Sequence, residues 1–279
     1  MSGARTRLLA LDIDGTVLGP DGEICDGARE AVERALRAGL RVVLCTGRRF
    51  RTALPVQEAL GLAGPIVLHN GALVKESTSG RTLAAVTLAT GLCREAVAAL
   101  RPHGPPLVYV DGYPDTDIVT ERGSAHPTQA EYLQQHGEHC DFVDDLALVT
   151  RGDVLMVSVM ADGATIAKLG ARAARALGSR VHTHEIQNQG YGGQILELLA
   201  PGTGKWWALR RLAAEWGIDA AEIAAVGDDL NDVEMVREAG LGIAMGNAVA
   251  AVRAAADLVA PSHAEHGIAR AIEMVLGAR

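Results

Sequence analysis

The chain has 279 residues, of which 48% are hydrophobic and 22% charged, and its formal net charge is −8. This is the composition of a globular protein with one large domain or two moderate ones. The acidic balance and the lack of a basic run argue against nucleic-acid binding, which depends largely on cationic side chains. Since no apolar stretch reaches the roughly 18 residues of a membrane-spanning helix, we expect no membrane partner either.

The N-terminus and the cysteines favour a cytoplasmic protein. Residues 1–7 lead directly into the first predicted strand, which leaves no room for a signal peptide. Cys25, Cys45, Cys93 and Cys140 are scattered without the spacing of a metal site. They predict free thiols in a reducing compartment. By default we expect a monomer, with a dimer as the alternative.

Strands and helices alternate in the N-terminal part. The predicted elements, in chain order, are strand 8–13, helix 26–37, strand 40–45, helix 50–60 and strand 65–69. Short apolar strands separated by helical segments predict βαβ units, a parallel sheet and right-handed crossovers.

The middle of the chain breaks this rhythm with more turns and polar loops. It has strand-like runs at 107–110, 154–160 and 180–184, and helical patterns at 92–100 and 164–177. This mixture indicates a second α/β unit with its own core.

The first rhythm returns after residue 194. The predicted elements are strand 195–199, helix 205–216, strand 223–226, helix 232–239, strand 241–244, a short helix at 247–256 and a last helix at 267–276. We therefore predict an α/β fold in which a doubly wound, Rossmann-like parallel-sheet core (residues 1–82 and 191–279) carries an inserted α/β cap domain (residues 83–190).

Two acids end the first predicted strand. Asp12 and Asp14 directly follow an apolar run and precede Gly15 and Thr16. A buried strand avoids carboxylates because their desolvation is costly, so this pair needs a cation or a chemical use. Gly15 lets the backbone approach a ligand closely.

Further polar residues follow the other predicted core strands, where an open parallel sheet binds its ligands. These are Thr46 and Gly47, then Asn70, then Asp228, Asp229, Asn231 and Asp232. With Asp12 and Asp14, five acids would crowd one pocket and repel one another without a cation. Hard carboxylate oxygens favour Mg²⁺.

Two of the remaining signals have ordinary alternatives. Thr46 and Gly47 could form an anion-binding turn or simply the N-cap of a helix. Lys205 could add a positive charge to the pocket or be a solvated surface lysine. Neither signal alone shows whether the pocket binds an anion.

Read together, these segments resemble the four motifs of the haloacid dehalogenase superfamily of phosphatases. The motifs are Asp12-x-Asp14-Gly15-Thr16, Thr46-Gly47-Arg48, Lys205, and Gly227-Asp228-x-x-Asn231-Asp232. The segment 242–248 and the triplet Asn70-Gly71-Ala72 are typical of the Cof-type branch. Trp206 departs from the pattern, since a small residue commonly follows the lysine.

The resemblance implies a role for each motif residue. Asp12 would be the nucleophile that forms an aspartyl-phosphate, and Asp14 the general acid and then the base. Mg²⁺ would bind Asp12, the backbone carbonyl of Asp14 and Asp228. The phosphoryl oxygens would be bound by Thr46, Gly47, Asn70, Lys205 and Asn231. Asp229 and Asp232 would orient metal waters or Lys205.

The implied activity is a Mg²⁺-dependent phosphatase for a small phosphorylated metabolite, with sugar phosphates as the first class to consider. A phosphotransferase or phosphomutase for sugar phosphates is compatible with the same residues. A phospho-accepting signalling domain also combines acids, a threonine and a lysine, but it is much shorter and lacks an inserted cap. Substrate selectivity is expected in the cap, around residues 109–117 or 182–191.

Overall fold

The computed structural model describes residues 5–123, 125–148, 153–187 and 192–278. Two compact units divide the chain. The core unit comprises the chain up to Ala84 and from Gly204 onward, and the insert unit comprises Ala85–Thr203. The first division lies two residues from the one that we predicted after residue 82.

The described residues form strands and helices in the following order along the chain. The strands are β1 (Leu8–Leu11), β2 (Arg41–Leu44), β3 (Pro65–Leu68), β4 (Leu73–Glu76), β5 (Thr82–Ala85), β6 (Leu107–Val110), β7 (Ile118–Glu121), β8 (Cys140–Val143), β9 (Val154–Ala161), β10 (His182–Gln187), β11 (Gln194–Leu199), β12 (Ile223–Gly227), β13 (Leu241–Ala244) and β14 (Leu258–Val259). The helices are α1 (Ala28–Arg37), α2 (Phe50–Ala59), α3 (Thr90–Leu100), α4 (Pro127–His136), α5 (Gly163–Leu177), α6 (Lys205–Glu215), α7 (Val233–Glu238), α8 (Ala250–Ala255) and α9 (Gly267–Gly277). Within the described ranges, none of these helices combines the length and apolarity that crossing a bilayer requires.

A parallel sheet in the order β14-β13-β12-β1-β2 forms the centre of the core unit. Strand β1 is fully buried and pairs with β2 on one side and with β12 on the other. The chain therefore forms β2 on one side of β1 first and adds β12 on the other side much later. This reversal makes the carboxyl end of β1 a topological switch point, where open α/β sheets bind ligands.

Strand β3 reaches the parallel sheet through one bridge, between Cys45 and Val67, and otherwise belongs to a second sheet in the order β3-β4-β5. The turn His69–Gly71 reverses the chain from β3 into an antiparallel pairing with β4. Strands β4 and β5 were not predicted, because β4 is half polar and β5 contains two alanines, which have little strand propensity.

The insert unit contains a six-stranded sheet in the order β10-β11-β9-β6-β7-β8. Its neighbours are antiparallel except for the parallel pair β7 and β8. One face of the sheet packs its valines and leucines against the buried faces of α3 and α5. The unit therefore has its own hydrophobic core, as the sequence predicted.

One predicted strand lies in the other unit. The strand predicted at 195–199, which is apolar except for Glu197, was assigned to the core, but β11 pairs with β9 and β10 in the insert sheet. The insert unit accordingly extends to Thr203. An apolar run without alternation shows that a strand is buried, but not which sheet it joins. The predicted division between residues 190 and 191 falls outside the described residues.

Candidate active site

Asp12 lies at the carboxyl end of β1, at the switch point of the parallel sheet. Its backbone N–H donates to Val226 of β12 at 3.0 Å, and its side chain is buried. The Nζ of Lys205 is 2.6 Å from Asp12 Oδ1 and 2.7 Å from Asp232 Oδ1. Lys205 begins α6 and is only 2% exposed, so it is a buried lysine held between two carboxylates rather than a surface one.

The loop after β12 is organised by Asp232. Its Oδ2 accepts hydrogen bonds from the backbone N–H of Asp228 at 3.0 Å and of Asp229 at 3.2 Å. A Cβ on Gly227 would lie 2.5 Å from the Cβ of Asp232, so the carboxylate can fold over this loop only because residue 227 is glycine. The side chain of Asp229 accepts from the N–H of Leu230 at 2.7 Å, outside the Lys205 contacts.

Three buried carboxylates meet at this point. Asp12, Asp228 and Asp232 each place one oxygen within 4.8 Å of the others. Burial, followed by the charge of Asp232, raises the pKa of Asp12 well above its usual range and that of Asp228 to about 7. Burial by itself lowers the pKa of Lys205, but Asp12 and Asp232 outweigh it and raise that pKa.

This arrangement fits a hard divalent cation. Lys205 neutralises one of the three clustered carboxylates, and the pKa values of Asp12 and Asp228 are raised first by burial and then by the neighbouring negative charge of Asp232. Asp12 and Asp228 offer oxygen ligands, whereas both oxygens of Asp232 already accept hydrogen bonds, and Mg²⁺ prefers oxygen ligands in small number. The donor set therefore suits Mg²⁺ better than a thiolate- or imidazole-seeking metal.

Gly15 and Thr16 pack against Asp228. Gly15 has a φ of +76°, and a Cβ there would lie 2.1 Å from Asp228 Oδ2. The hydroxyl of Thr16 donates to Asp228 Oδ1 at 3.3 Å. The first motif therefore shapes the acidic cluster as well as supplying Asp12 and Asp14.

Asp14 is half-buried and forms a bidentate ion pair. Its Oδ2 accepts from Nε of Arg48 at 2.9 Å and its Oδ1 from Nη2 at 2.6 Å. Its carboxylate is thus directed to Arg48 and not to the cluster of Asp12, Asp228 and Asp232; the sequence had assigned only its backbone carbonyl to the metal. Arg48 was quoted in the second motif but not given a role, so this contact is one that the sequence missed.

Four predicted phosphate-binding residues come together at the ends of β2 and β3. The N–H of Asn70 donates to the carbonyl of Thr46 at 3.0 Å, and the side-chain Nδ2 of Asn231 donates to Asn70 Oδ1 at 2.9 Å. A Cβ on Gly47 would lie 3.2 Å from the amide of Asn70. Thr46 Oγ1 accepts from the N–H of Arg48 at 3.1 Å, which leaves its own hydrogen to donate.

The turn that carries Asn70 packs against the start of α6. Gly71 has a φ of +90°, and a Cβ there would lie 2.1 Å from the carbonyl oxygen of Gly204. Because Gly204 precedes Lys205, this close approach brings the Asn70 turn beside the buried lysine. Hydroxyl, amide and ammonium donors therefore line the same end of the sheet as the acidic cluster, an arrangement suited to a phosphoryl group.

Asn247 is a second residue that the sequence left without a role. It belongs to the segment 242–248 and donates from Nδ2 to the carbonyl of Gly15 at 2.9 Å and to Asp228 Oδ2 at 3.2 Å. Its only sequence signal was the resemblance of that segment to the Cof-type branch.

The fold and the site together define a hydrolase of the phosphoryl-transfer class. A parallel sheet carries an inserted unit, a buried acidic cluster lies at the switch point, and phosphate-type donors line the same end of the sheet. A family model described as haloacid dehalogenase-like hydrolase matches residues 9–272. The chain therefore belongs to this family, and the predicted membership of its Cof-type branch is confirmed.

Characterised relatives match over nearly the whole chain. The chain is 29% identical to the 5-amino-6-(5-phospho-D-ribitylamino)uracil phosphatase YitU of Bacillus subtilis, over 94% of this chain and 95% of the relative. It is 26% identical to the pyridoxal phosphate phosphatase YbhA of Escherichia coli, over 96% and 97%.

A solved structure gives the same fold. A haloacid dehalogenase-like hydrolase from Bacteroides thetaiotaomicron superposes with a TM-score of 0.81 and 26% identity, over 97% of this chain and 100% of that one. The predicted α/β core with additional cap is therefore confirmed as the fold class.

Proposed function

We propose that the protein is a Mg²⁺-dependent phosphatase that hydrolyses a small phosphorylated metabolite through an aspartyl-phosphate on Asp12. The observation that carries this proposal is the buried Asp12 carboxylate at the switch point, 2.6 Å from Lys205 and within the acidic cluster. Two phosphatases that match this chain along nearly their full length support it.

Two displacements at phosphorus make up the proposed reaction. A carboxylate oxygen of Asp12 forms a bond to phosphorus while the ester P–O bond breaks, and Asp14 gives its proton to the departing alcohol oxygen. Water then attacks the phosphorus, Asp14 takes the proton of that water, and the bond between phosphorus and Asp12 breaks. Inorganic phosphate leaves, and Asp12 and Asp14 return to their starting forms.

The ion pair of Asp14 with Arg48 sets a condition on this reaction. A protonated carboxylic acid cannot accept two charge-assisted hydrogen bonds as a carboxylate does. Asp14 therefore has to leave Arg48, at least in part, before it donates a proton to the leaving group. We infer that substrate binding opens this pair.

Asp12, the backbone carbonyl of Asp14 and Asp228 would hold Mg²⁺. When bound, the ion would neutralise negative charge on the carboxylates and on the phosphoryl oxygens. Lys205, Thr46, Gly47, Asn70 and Asn231 bind the phosphoryl oxygens. Asp232 holds Lys205 in place, and Asp229 shapes the loop that carries Asp228.

The substrate class is the least determined part of the proposal. The two relatives named above are phosphatases of a ribityl-linked uracil phosphate and of pyridoxal phosphate. We propose a small phosphorylated metabolite, with sugar phosphates tested first, and we assign selectivity to the insert unit around residues 109–117 and 182–187.

The test measures phosphate release from a panel of phosphorylated metabolites with and without Mg²⁺, for the unaltered protein and for Asp12→Asn. We expect activity that requires Mg²⁺ and falls about 10⁴-fold in Asp12→Asn, because the amide is a poor nucleophile. Asp219→Asn is the matched control, since Asp219 caps the turn before β12, near the opposite end of the sheet.

Three results would contradict the proposal. They are normal turnover by Asp12→Asn, full activity after exhaustive chelation, and no phosphate release from any panel member. Analysis of the products separates hydrolysis from transfer of the phosphoryl group to a second sugar.

A further inference from the structure

The segment 242–248 has no part in the proposed reaction, yet its Asn247 touches the acidic cluster. Both donor positions of the amide nitrogen are used, by the carbonyl of Gly15 at 2.9 Å and by Asp228 Oδ2 at 3.2 Å. The amide oxygen accepts from the N–H of His263 at 3.0 Å. Three loops therefore fix the orientation of this one amide.

Asp228 receives a hydrogen bond on each of its two oxygens. Thr16 donates to Oδ1 at 3.3 Å, and Asn247 donates to Oδ2 at 3.2 Å. Both donors are neutral groups, so they orient the carboxylate without cancelling its charge. The close packing of Gly15 against Oδ2 restricts the same carboxylate from a third direction.

The backbone around Asn247 holds it in register with Asp228. The N–H of Val249 donates to the carbonyl of Asp228 at 2.9 Å. Gly246 packs so closely that a Cβ there would lie 2.5 Å from the backbone nitrogen of Ser262. The loop after β13 therefore packs between the loop after β12 and the turn at Ser262.

We propose that Asn247 is a positioning residue that orients the Asp228 carboxylate and the Gly15 peptide for divalent-metal binding. This inference rests on the proposed function, because it takes the acidic cluster to be the Mg²⁺ site. Groups that orient a metal ligand through a hydrogen bond commonly contribute 10- to 100-fold to metal affinity. The Gly15 contact extends this effect to the backbone of the Asp14 turn.

The experiment measures Mg²⁺ affinity by calorimetry without substrate, so that its readout does not depend on turnover. Asn247→Ala removes both donors, and we expect a Mg²⁺ affinity at least about tenfold weaker. Asn247→Ser is a second variant that keeps a small polar group in case the alanine variant does not fold. Asp219→Asn is the control, since Asp219 caps the turn before β12, near the opposite end of the sheet.

A thermal unfolding midpoint in the absence of metal is measured alongside for every variant. Weaker Mg²⁺ binding in a folded Asn247 variant, with unchanged affinity in Asp219→Asn, supports the positioning role. Affinity within twofold of the unaltered protein in a folded Asn247 variant overturns it, even if the midpoint falls. Failure of the unaltered protein to bind Mg²⁺ overturns both this inference and the metal assignment in the proposed function.

Discussion

The core unit and the insert unit bury their polar residues in different ways. In the core unit, Asp12, Lys205, Asp228 and Asp232 gather at one end of a parallel sheet. In the insert unit, a polar row crosses the antiparallel strands β9, β11 and β10, where buried Ser158 pairs in register with buried Glu197, and Glu197 with the half-buried His184.

The difference follows from sheet geometry. Parallel strands end at a common edge, so the residues after each strand meet there, and short contiguous motifs suffice to build a site. In antiparallel strands, facing residues lie at matching positions along the strands rather than at one shared end, so no contiguous motif marks them. We therefore expect changes in the core cluster to affect chemistry and metal binding, and changes in the insert row to affect substrate preference.

Among the changes that contrast the two units, the largest effect is expected for Lys205→Met. Removing one partner from a buried ion pair leaves Asp12 and Asp232 uncompensated, which typically destabilises a fold by 3–5 kcal/mol. We expect kcat/KM to fall by about 10³-fold or more, together with a lower midpoint of denaturant unfolding. Arg211→Met, an exposed change on the same helix, should alter neither quantity. An active, fully stable Lys205→Met would show that the lysine does not hold the cluster.

A large pH effect is expected on the metal-free protein. The pKa of Asp228 in the fold is about 7, above its ordinary 3.8, so the folded state binds the proton more tightly than the unfolded state. This group therefore destabilises the fold progressively as pH rises from about 4 to about 7, by up to about 4 kcal/mol.

Asp228→Asn isolates this contribution. In the presence of chelator the variant should be more stable than the unaltered protein at pH 8, and the advantage should vanish near pH 4. Adding Mg²⁺ should stabilise the unaltered protein at pH 8 and the variant much less. Denaturant unfolding at several pH values gives the measurement, and a difference that does not vary with pH would contradict it.

An intermediate effect is expected for Arg48. Arg48→Ala removes the bidentate partner that orients the Asp14 carboxylate, so kcat should fall about 10- to 100-fold while Mg²⁺ affinity stays within twofold. Arg48→Lys keeps the charge but not the planar fork, and should restore only part of the rate. Steady-state kinetics and calorimetry on both variants provide the test. Unchanged kcat in both would remove Arg48 from the reaction.

The smallest effect is expected in the insert unit. Glu197→Gln removes a buried charge 3.5 Å from the imidazole of His184. We expect relative kcat/KM values across the substrate panel to shift by up to about tenfold, with Mg²⁺ affinity unchanged, because the insert has its own core. An equal loss on every substrate together with weaker Mg²⁺ binding would contradict the separation of roles between the two units.

Much of the core unit could be predicted from the sequence. Strands β1, β2, β12 and β13 and helices α6 and α9 lie where their apolar patterns indicated, within a few residues. The insert was harder, since β7, β8 and α4 were not predicted and β11 was assigned to the wrong sheet. Periodicity reports whether a segment is buried, and it carries little information on which distant segment will pair with it.

The sequence by itself determined the residue types of the site and their order, because each motif is contiguous and directly follows a strand. Only the tertiary structure decided the contacts between motifs: Lys205 with Asp12 and Asp232, Arg48 with Asp14, and Asn247 with Asp228. These partners are between 19 and 193 residues apart in the sequence, so no local pattern encodes them. They form because the folded sheet brings its strand ends together, and a buried charge or amide is stable there only with a partner.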